Sequence, residues 1–82
     1  MYNTIYAQKF MQNVKEVKME DLIAQKIKTI RSKKRISQTE LSKRTHLHRN
    51  TISNFENSKR NPRVNDLKKI ANALDVSIEE LL

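Results

Sequence analysis

Hydrophobic residues recur every three or four positions from Asp21 to the end of the chain, with polar and basic residues between them. This spacing places the apolar side chains on one face of a helix. Polar breaks divide the pattern, so the sequence predicts an all-α fold, a compact bundle of five short helices. The expected core residues are Leu22, Ile23, Ile27 and Ile30 in the first helix, Leu41 in the second, Ile52 and Phe55 in the third, Val64, Leu67, Ile70, Ala71 and Leu74 in the fourth, and Ile78 and Leu81 in the fifth.

Capping signals set the predicted helix boundaries. Ser37 opens the sequence Ser-Gln-Thr-Glu, and Ser77 opens Ser-Ile-Glu-Glu, and each has the form of a capping box at a helix start. A tight turn at residues 46–48, with Leu47 directed into the core, separates the second and third helices. The predicted helices cover residues 21–34, 38–45, 49–57 and 64–74, with the fifth starting at Ile78.

The first 20 residues stand apart from this pattern. Tyr6, Phe10, Val14 and Val17 form a weaker helical stripe, which Asn3 or Thr4 could cap. Residues 1–20 are therefore expected to be an N-terminal extension. The extension is either a frayed terminus or an amphipathic arm that packs on a partner subunit or another protein.

Positive charge is concentrated in the middle of the chain, whose net charge is +8. Residues 26–63 contain twelve Lys or Arg and two acids, whereas residues 64–82 contain two Lys and four acids. A basic middle beside a mildly acidic tail suggests one face for a polyanion such as nucleic acid. Lysine-rich helices also keep a small protein soluble, and the charge alone does not decide between the two. A membrane surface is disfavoured, because the basic segment lacks the large aromatic and leucine face of an interfacial helix.

Composition excludes several other classes of function. The chain has no Cys and no Gly, so it has neither a thiolate metal site nor a glycine-rich phosphate loop. His46 and His48 are too few to form a structural zinc site, and no acid beside them would orient them for catalysis. The sequence predicts a cytoplasmic protein that is not an enzyme and needs no cofactor.

The second and third predicted helices carry the most informative chemistry. The third helix places Ile52 and Phe55 on one face and Arg49, Asn50, Ser53 and Asn54 on the other. Two short helices joined by a tight turn, the second with a polar outer face, fit a DNA major groove.

Three segments resemble the helix-turn-helix domain of phage Cro and repressor proteins, the XRE family. They read IKTIRSKKRISQTEL, RNTISNFENSKRNP and LKKIANALDVSIEELL, in register over residues 22–82. The resemblance implies that residues 21–82 form a repressor-like DNA-binding domain. It also implies a sequence-specific regulator of transcription, expected to be a repressor, that binds double-stranded DNA as a homodimer.

The resemblance also implies roles for individual residues, each of which could instead be an ordinary exposed polar side chain. The expected base readers are His48, Arg49, Asn50 and Asn54. The expected phosphate contacts are Gln38, Thr51, Ser53, Asn57, Lys59 and Arg60, with Arg63 near the minor groove. Arg31 and Glu56 match a structural ion pair, and Leu81 and Leu82 are candidate dimer contacts.

Four turn positions depart from the family pattern, which commonly has Gly there. This chain has Arg35, His46, Ser58 and Asp75. A left-handed backbone at a residue other than Gly costs about 1–2 kcal/mol. Either these turns are remodelled or the domain carries strain.

A second hypothesis belongs to a different class of function. An antitoxin neutralises a partner protein and represses its own promoter, and the amphipathic pattern at residues 2–17 would suit the protein contact. Deletion of the extension would discriminate between the two hypotheses.

Overall fold

The computed structural model describes residues 18–82, which form four α-helices followed by one turn of 3-10 helix. The predicted all-helical fold is confirmed for this part of the chain. Residues 1–17 of the predicted extension, residues 1–20, lie outside the described residues, whereas Met19 and Glu20 belong to the first helix. The elements are α1 (Met19–Lys33), α2 (Gln38–Thr45), α3 (Arg49–Glu56), α4 (Val64–Ala73) and the 3-10 helix η1 (Ile78–Leu81).

The fifth element is shorter than the sequence pattern suggested. Its backbone bonds run from Glu80 N–H to the Ser77 carbonyl at 3.1 Å and from Leu82 N–H to the Glu79 carbonyl at 3.2 Å. Four residues give room for one turn, which closes with this i to i+3 spacing. The Glu80 carboxylate accepts from the Ser77 backbone N–H at 3.1 Å, as expected at this helix start.

The core lies where all five elements meet. Phe55 of α3 is fully buried at its centre, and Leu47 in the α2–α3 turn packs half-buried against it. Each large apolar side chain removed from water contributes about 1.5–3 kcal/mol. The buried cluster consists of Ile27, Ile36, Leu41, Ile52, Phe55, Leu67, Ile70, Ala71, Leu74 and Leu81.

Two residues expected in the core lie largely outside it. Leu22 is 40% exposed and Val64 is 63% exposed. Successive helix residues are about 100° apart, so Leu22 lies about 140–160° around α1 from the buried Ala24 and Ile27, on nearly the opposite face of the helix. Val64 is the first residue of α4 and lies beyond the part of that helix which packs on the core.

All four turn residues that replace Gly adopt the left-handed conformation. The φ angles are 58° at Arg35, 62° at His46, 59° at Ser58 and 57° at Asp75. At Arg35, the Ile36 N–H bonds the Arg31 carbonyl at 3.1 Å and the Arg35 N–H bonds the Ser32 carbonyl at 3.0 Å, which is a Schellman motif. The turns therefore keep a glycine-type geometry, and the domain carries the backbone strain.

The same C-terminal geometry recurs at the other helix ends. Ser58 and Asp75 form Schellman motifs after α3 and α4, through bonds from the following residue to the carbonyls of Asn54 at 2.9 Å and Ala71 at 3.0 Å. At His46, a single bond from its N–H to the Ser42 carbonyl, 2.8 Å long, closes the simpler left-handed cap. These caps end each helix sharply and fix the short loops that follow.

Candidate nucleic-acid interface

The turn between α2 and α3 is held by side chains of α2. The Ser42 hydroxyl donates to the Leu47 carbonyl at 2.6 Å, and the Thr45 hydroxyl accepts from the Leu47 N–H at 3.2 Å. Thr45 is itself buried, and its hydroxyl donates back to the Leu41 carbonyl at 2.8 Å. Both polar groups of the Leu47 backbone are thus bonded, which fixes the angle at which α3 leaves the turn.

The core fixes which face of α3 is presented to solvent. Ile52 and Phe55 are fully buried on the inner face. Arg49 and Asn50, in the first turn, are exposed, and Asn54 is half-buried one turn later. Arg and Asn can make bidentate bonds to guanine and adenine edges, each worth about 1–3 kcal/mol of discrimination. The arrangement therefore offers base-compatible side chains on a rigid helix, and their role as base readers stays a prediction.

His48 has a structural role that the sequence did not indicate. It is the N-cap of α3, and its Nδ1 accepts from the Asn50 backbone N–H at 3.0 Å. An accepting Nδ1 carries no proton, so the neutral ring carries its proton on Nε2. The exposed ring therefore has one donor, Nε2–H, left for a ligand. Ser, Thr, Asp and Asn are the usual caps, so the residue type gave no signal for this role.

A partly buried polar network joins α1, α2 and α3. Arg31 Nε and Nη2 donate to the two Glu56 carboxylate oxygens at 2.7 and 3.0 Å. The Gln38 amide nitrogen donates to the same carboxylate at 3.1 Å, and Arg31 Nη1 donates to the Ile36 carbonyl at 2.7 Å. The network places Gln38, an expected phosphate contact in the first turn of α2, beside the last residue of α3.

The other expected phosphate contacts lie along α3 and the loop after it. Thr51 and Ser53 are half-buried, whereas Asn57, Lys59 and Arg60 are exposed. The Asn57 amide donates to the Ser53 hydroxyl at 3.2 Å, so those two side chains act as one polar unit. The Arg60 guanidinium lies 5.8 Å from the centroid of the Phe55 ring, where a cation–π contact steadies it.

The remaining expected contacts are Arg63, for the minor groove, and Leu81 and Leu82, for a dimer. Arg63 is exposed and is the N-cap of α4, where its backbone N–H donates to the Asp66 carboxylate at 3.0 Å. Its guanidinium has no acceptor atom, so it does not cap the helix itself. Leu81 is fully buried within the core and offers no surface for a dimer contact, whereas Leu82 is 51% exposed.

In residues 18–82, His, Asp and Glu side chains do not gather in a group of three that could hold a metal ion. Within the same range, every helix is too short or too polar to cross a membrane.

Side-chain hydrogen bonds hold the turn between α2 and α3. One face of α3 packs on the core, and its other face exposes polar side chains next to basic residues. This arrangement defines a helix-turn-helix DNA-binding domain. The helix-turn-helix family profile matches residues 27–81. The chain belongs to the helix-turn-helix family and is a non-enzymatic, DNA-binding regulator of transcription.

Individual relatives agree with this family. Control protein C.BamHI of Bacillus amyloliquefaciens is 40% identical over 62 residues, which are 74% of this chain and 76% of that protein. The immunity repressor protein of Bacillus phage phi105 is 27% identical over 60 residues, or 73% of this chain. The match spans 42% of the phage repressor's length.

A solved structure shares the fold. The restriction-modification controller protein C.AhdI from Aeromonas hydrophila superposes with a TM-score of 0.75 and 28% sequence identity. The superposition covers 77% of this chain and 96% of C.AhdI.

Proposed function

We propose that this protein is a transcriptional repressor that recognises a specific double-stranded DNA operator by placing α3 in the major groove. The observation that carries the proposal is the first turn of α3. Arg49 and Asn50 are exposed there, on a helix whose opposite face is fixed by the fully buried Ile52 and Phe55. Rigid placement of a few polar side chains is what direct readout of base edges requires.

Phosphate contacts complete the proposal. Gln38, at the start of α2, bonds Glu56 at the end of α3, and the exposed Lys59 and Arg60 lie in the loop that follows. The N-terminus of α2 also favours an anion through its free backbone N–H groups. We assign the phosphate contacts to these residues with Thr51, Ser53 and Asn57, and Arg63 to the adjacent minor groove.

The proposed operator is partly palindromic and the proposed active species is a homodimer. One helix of eight residues offers few base contacts, and two half-sites double the number that a dimer makes. The candidate dimer surface, without Leu81, is the exposed Leu82, whose carbonyl accepts from Lys26 Nζ at 2.8 Å, together with Leu22, which shares a shallow groove with Lys26. Analytical ultracentrifugation tests this part, since Leu82→Glu should shift a dimer toward monomer.

Biological context follows from the relatives. One is named a restriction-modification controller and another an immunity repressor, so the proposed role is control of such a gene cluster in the cytoplasm. The proposed domain is residues 21–82, and the proposed role of residues 1–20 is contact with a protein partner. Because α1 begins at Met19, a truncation that tests the extension should remove only residues 1–17.

Selection of bound sequences from a random double-stranded DNA pool tests the proposed function. The expected result is enrichment of one motif with two related half-sites, about one helical turn apart centre to centre or a multiple of it. Recovery of sequences with no shared motif, after several rounds with competitor DNA, would contradict sequence-specific recognition.

A further inference from the structure

Three basic residues follow one another where α1 ends: Lys33, Lys34 and Arg35. All three side chains are exposed. No acidic group among residues 18–82 lies within 4.0 Å of their charged atoms, because the ion pairs in this range are Arg31–Glu56 and Arg44–Glu40. This cluster, which we call the α1 basic corner, is therefore available to an external anion.

The α1 basic corner lies next to the start of α2. Arg31 fastens the connecting segment by donating to the Ile36 carbonyl at 2.7 Å. The three residue steps from Arg35 to Gln38 span at most about 10 Å. Phosphates along one DNA strand advance by about 3.4 Å of helix axis per nucleotide. A phosphate near Gln38 therefore has neighbours on the same strand within reach of the corner.

Arg35 also carries backbone strain, as do the residues at the other three left-handed turns. Arg35 occupies the left-handed C-terminal position of a Schellman motif, with φ of 58°. Gly fits this position without strain, so a long cation there carries a backbone cost. Balancing the dipole of α1 does not require Arg35, because Arg31 and Lys33 already lie in the last helical turn.

We propose that the α1 basic corner binds phosphates of the operator flank, on the strand that passes the start of α2, with Arg35 as its main contact. The inference rests on the proposed function, because it needs DNA to lie against α2 and α3. The contact extends the footprint beyond the two-helix motif and carries no information about base sequence.

Arg35→Gly is the decisive variant, because it removes the charge and relieves the backbone together. We expect its affinity for the selected operator and for unrelated DNA to fall about three- to tenfold at low salt. The slope of log K against log salt concentration should fall by about 0.9, the value for one lost phosphate contact. Its thermal midpoint should equal or exceed that of the parent protein. A lower affinity for DNA with an equal or higher thermal midpoint excludes a folding defect as the cause of the weaker binding.

Two control variants isolate the contact. Arg35→Lys keeps a charge at the position and should retain most of the parental salt slope. Lys69→Ala removes one exposed charge from α4, and its slope of log K against log salt concentration should equal that of the parent protein within error. The inference would be overturned if Arg35→Gly kept the affinity and salt slope of the parent protein. It would also be overturned if Lys69→Ala lowered the salt slope as much as Arg35→Gly does. Either result would leave the proposed function intact. Absence of DNA binding by the parent protein would overturn both.

Discussion

The carboxylate of Glu56, in the last turn of α3, receives both Nε–H and Nη2–H of Arg31 in α1, at 2.7 and 3.0 Å. The Glu56 side chain is 1% exposed and that of Arg31 13%. The bidentate geometry, with Gln38 as a third donor, satisfies an acid that burial alone would disfavour. The orientation of α3 against α1 and α2 therefore depends on a polar contact as well as on the core.

Glu56→Ala should destabilise the domain by about 3–5 kcal/mol, because it leaves the Arg31 charge in a mostly buried site without a partner. Urea unfolding followed by circular dichroism measures the change. Glu40→Ala breaks the Arg44–Glu40 pair, whose side chains are both 46% exposed, and should cost less than about 1 kcal/mol. Equal losses in the free energy of unfolding for the two variants would show that the buried pair stabilises the domain no more than the exposed pair does.

His48→Ala should lower stability by about 0.5–2 kcal/mol through loss of the α3 N-cap, whereas His48→Ser should retain most of it. The comparison separates capping from any contact with DNA. Nitrogen-15 NMR of the free protein should show the neutral His48 ring with its proton on Nε2 and an unprotonated Nδ1. A neutral ring protonated on Nδ1 would rule out the hydrogen bond to the Asn50 N–H.

Ser58→Gly should raise the free energy of unfolding by about 1 kcal/mol, because it removes the strain of a left-handed non-Gly residue. Asp75→Gly should gain less, since Asp tolerates this conformation better. Lys68→Gly, in the exposed middle of α4, is the control and should lose about 0.5–1 kcal/mol. Chemical denaturation measures the free energy of unfolding of the three variants. A lower value for Ser58→Gly than for the parent protein would contradict the claim that Ser58 is strained.

Asn50→Ala and Lys59→Ala should weaken DNA binding in different ways. Loss of a base contact should cost about 1–3 kcal/mol on the operator and little on unrelated DNA. Loss of a phosphate contact should weaken binding to both and flatten the salt dependence. Fluorescence anisotropy with both DNAs at several salt concentrations distinguishes them. An unchanged operator preference in Asn50→Ala would remove Asn50 from the base readers.

Local signals in the sequence predicted most of the helical boundaries. Ser37 marked the start of α2, and its hydroxyl accepts from the Glu40 N–H at 3.0 Å as a capping box requires. The reciprocal half of that box does not form, because the Glu40 carboxylate instead accepts from Arg44 at 3.2 Å. The sequence places both the Ser37 N–H and the Arg44 side chain within reach of Glu40. The packing of the folded helix decides which of the two the carboxylate bonds.

Longer-range features were harder to predict. Val64 continued the apolar stripe of α4 in sequence, and its exposure depends on where the neighbouring elements stop. The bond between Gln38 and Glu56 joins residues 18 positions apart, which no local pattern reports. The expected ion pair of Arg31 and Glu56 came from the family resemblance and not from periodicity. The base and phosphate contacts stay predictions.

The most direct measurement of the central claim is the affinity ratio between the selected operator and a scrambled duplex of the same length, at one physiological salt concentration. Sequence-specific recognition through α3 predicts a ratio of at least about 10³. A ratio near one, with binding that depends only on salt, would contradict it and leave a basic helical domain that binds DNA without reading its sequence.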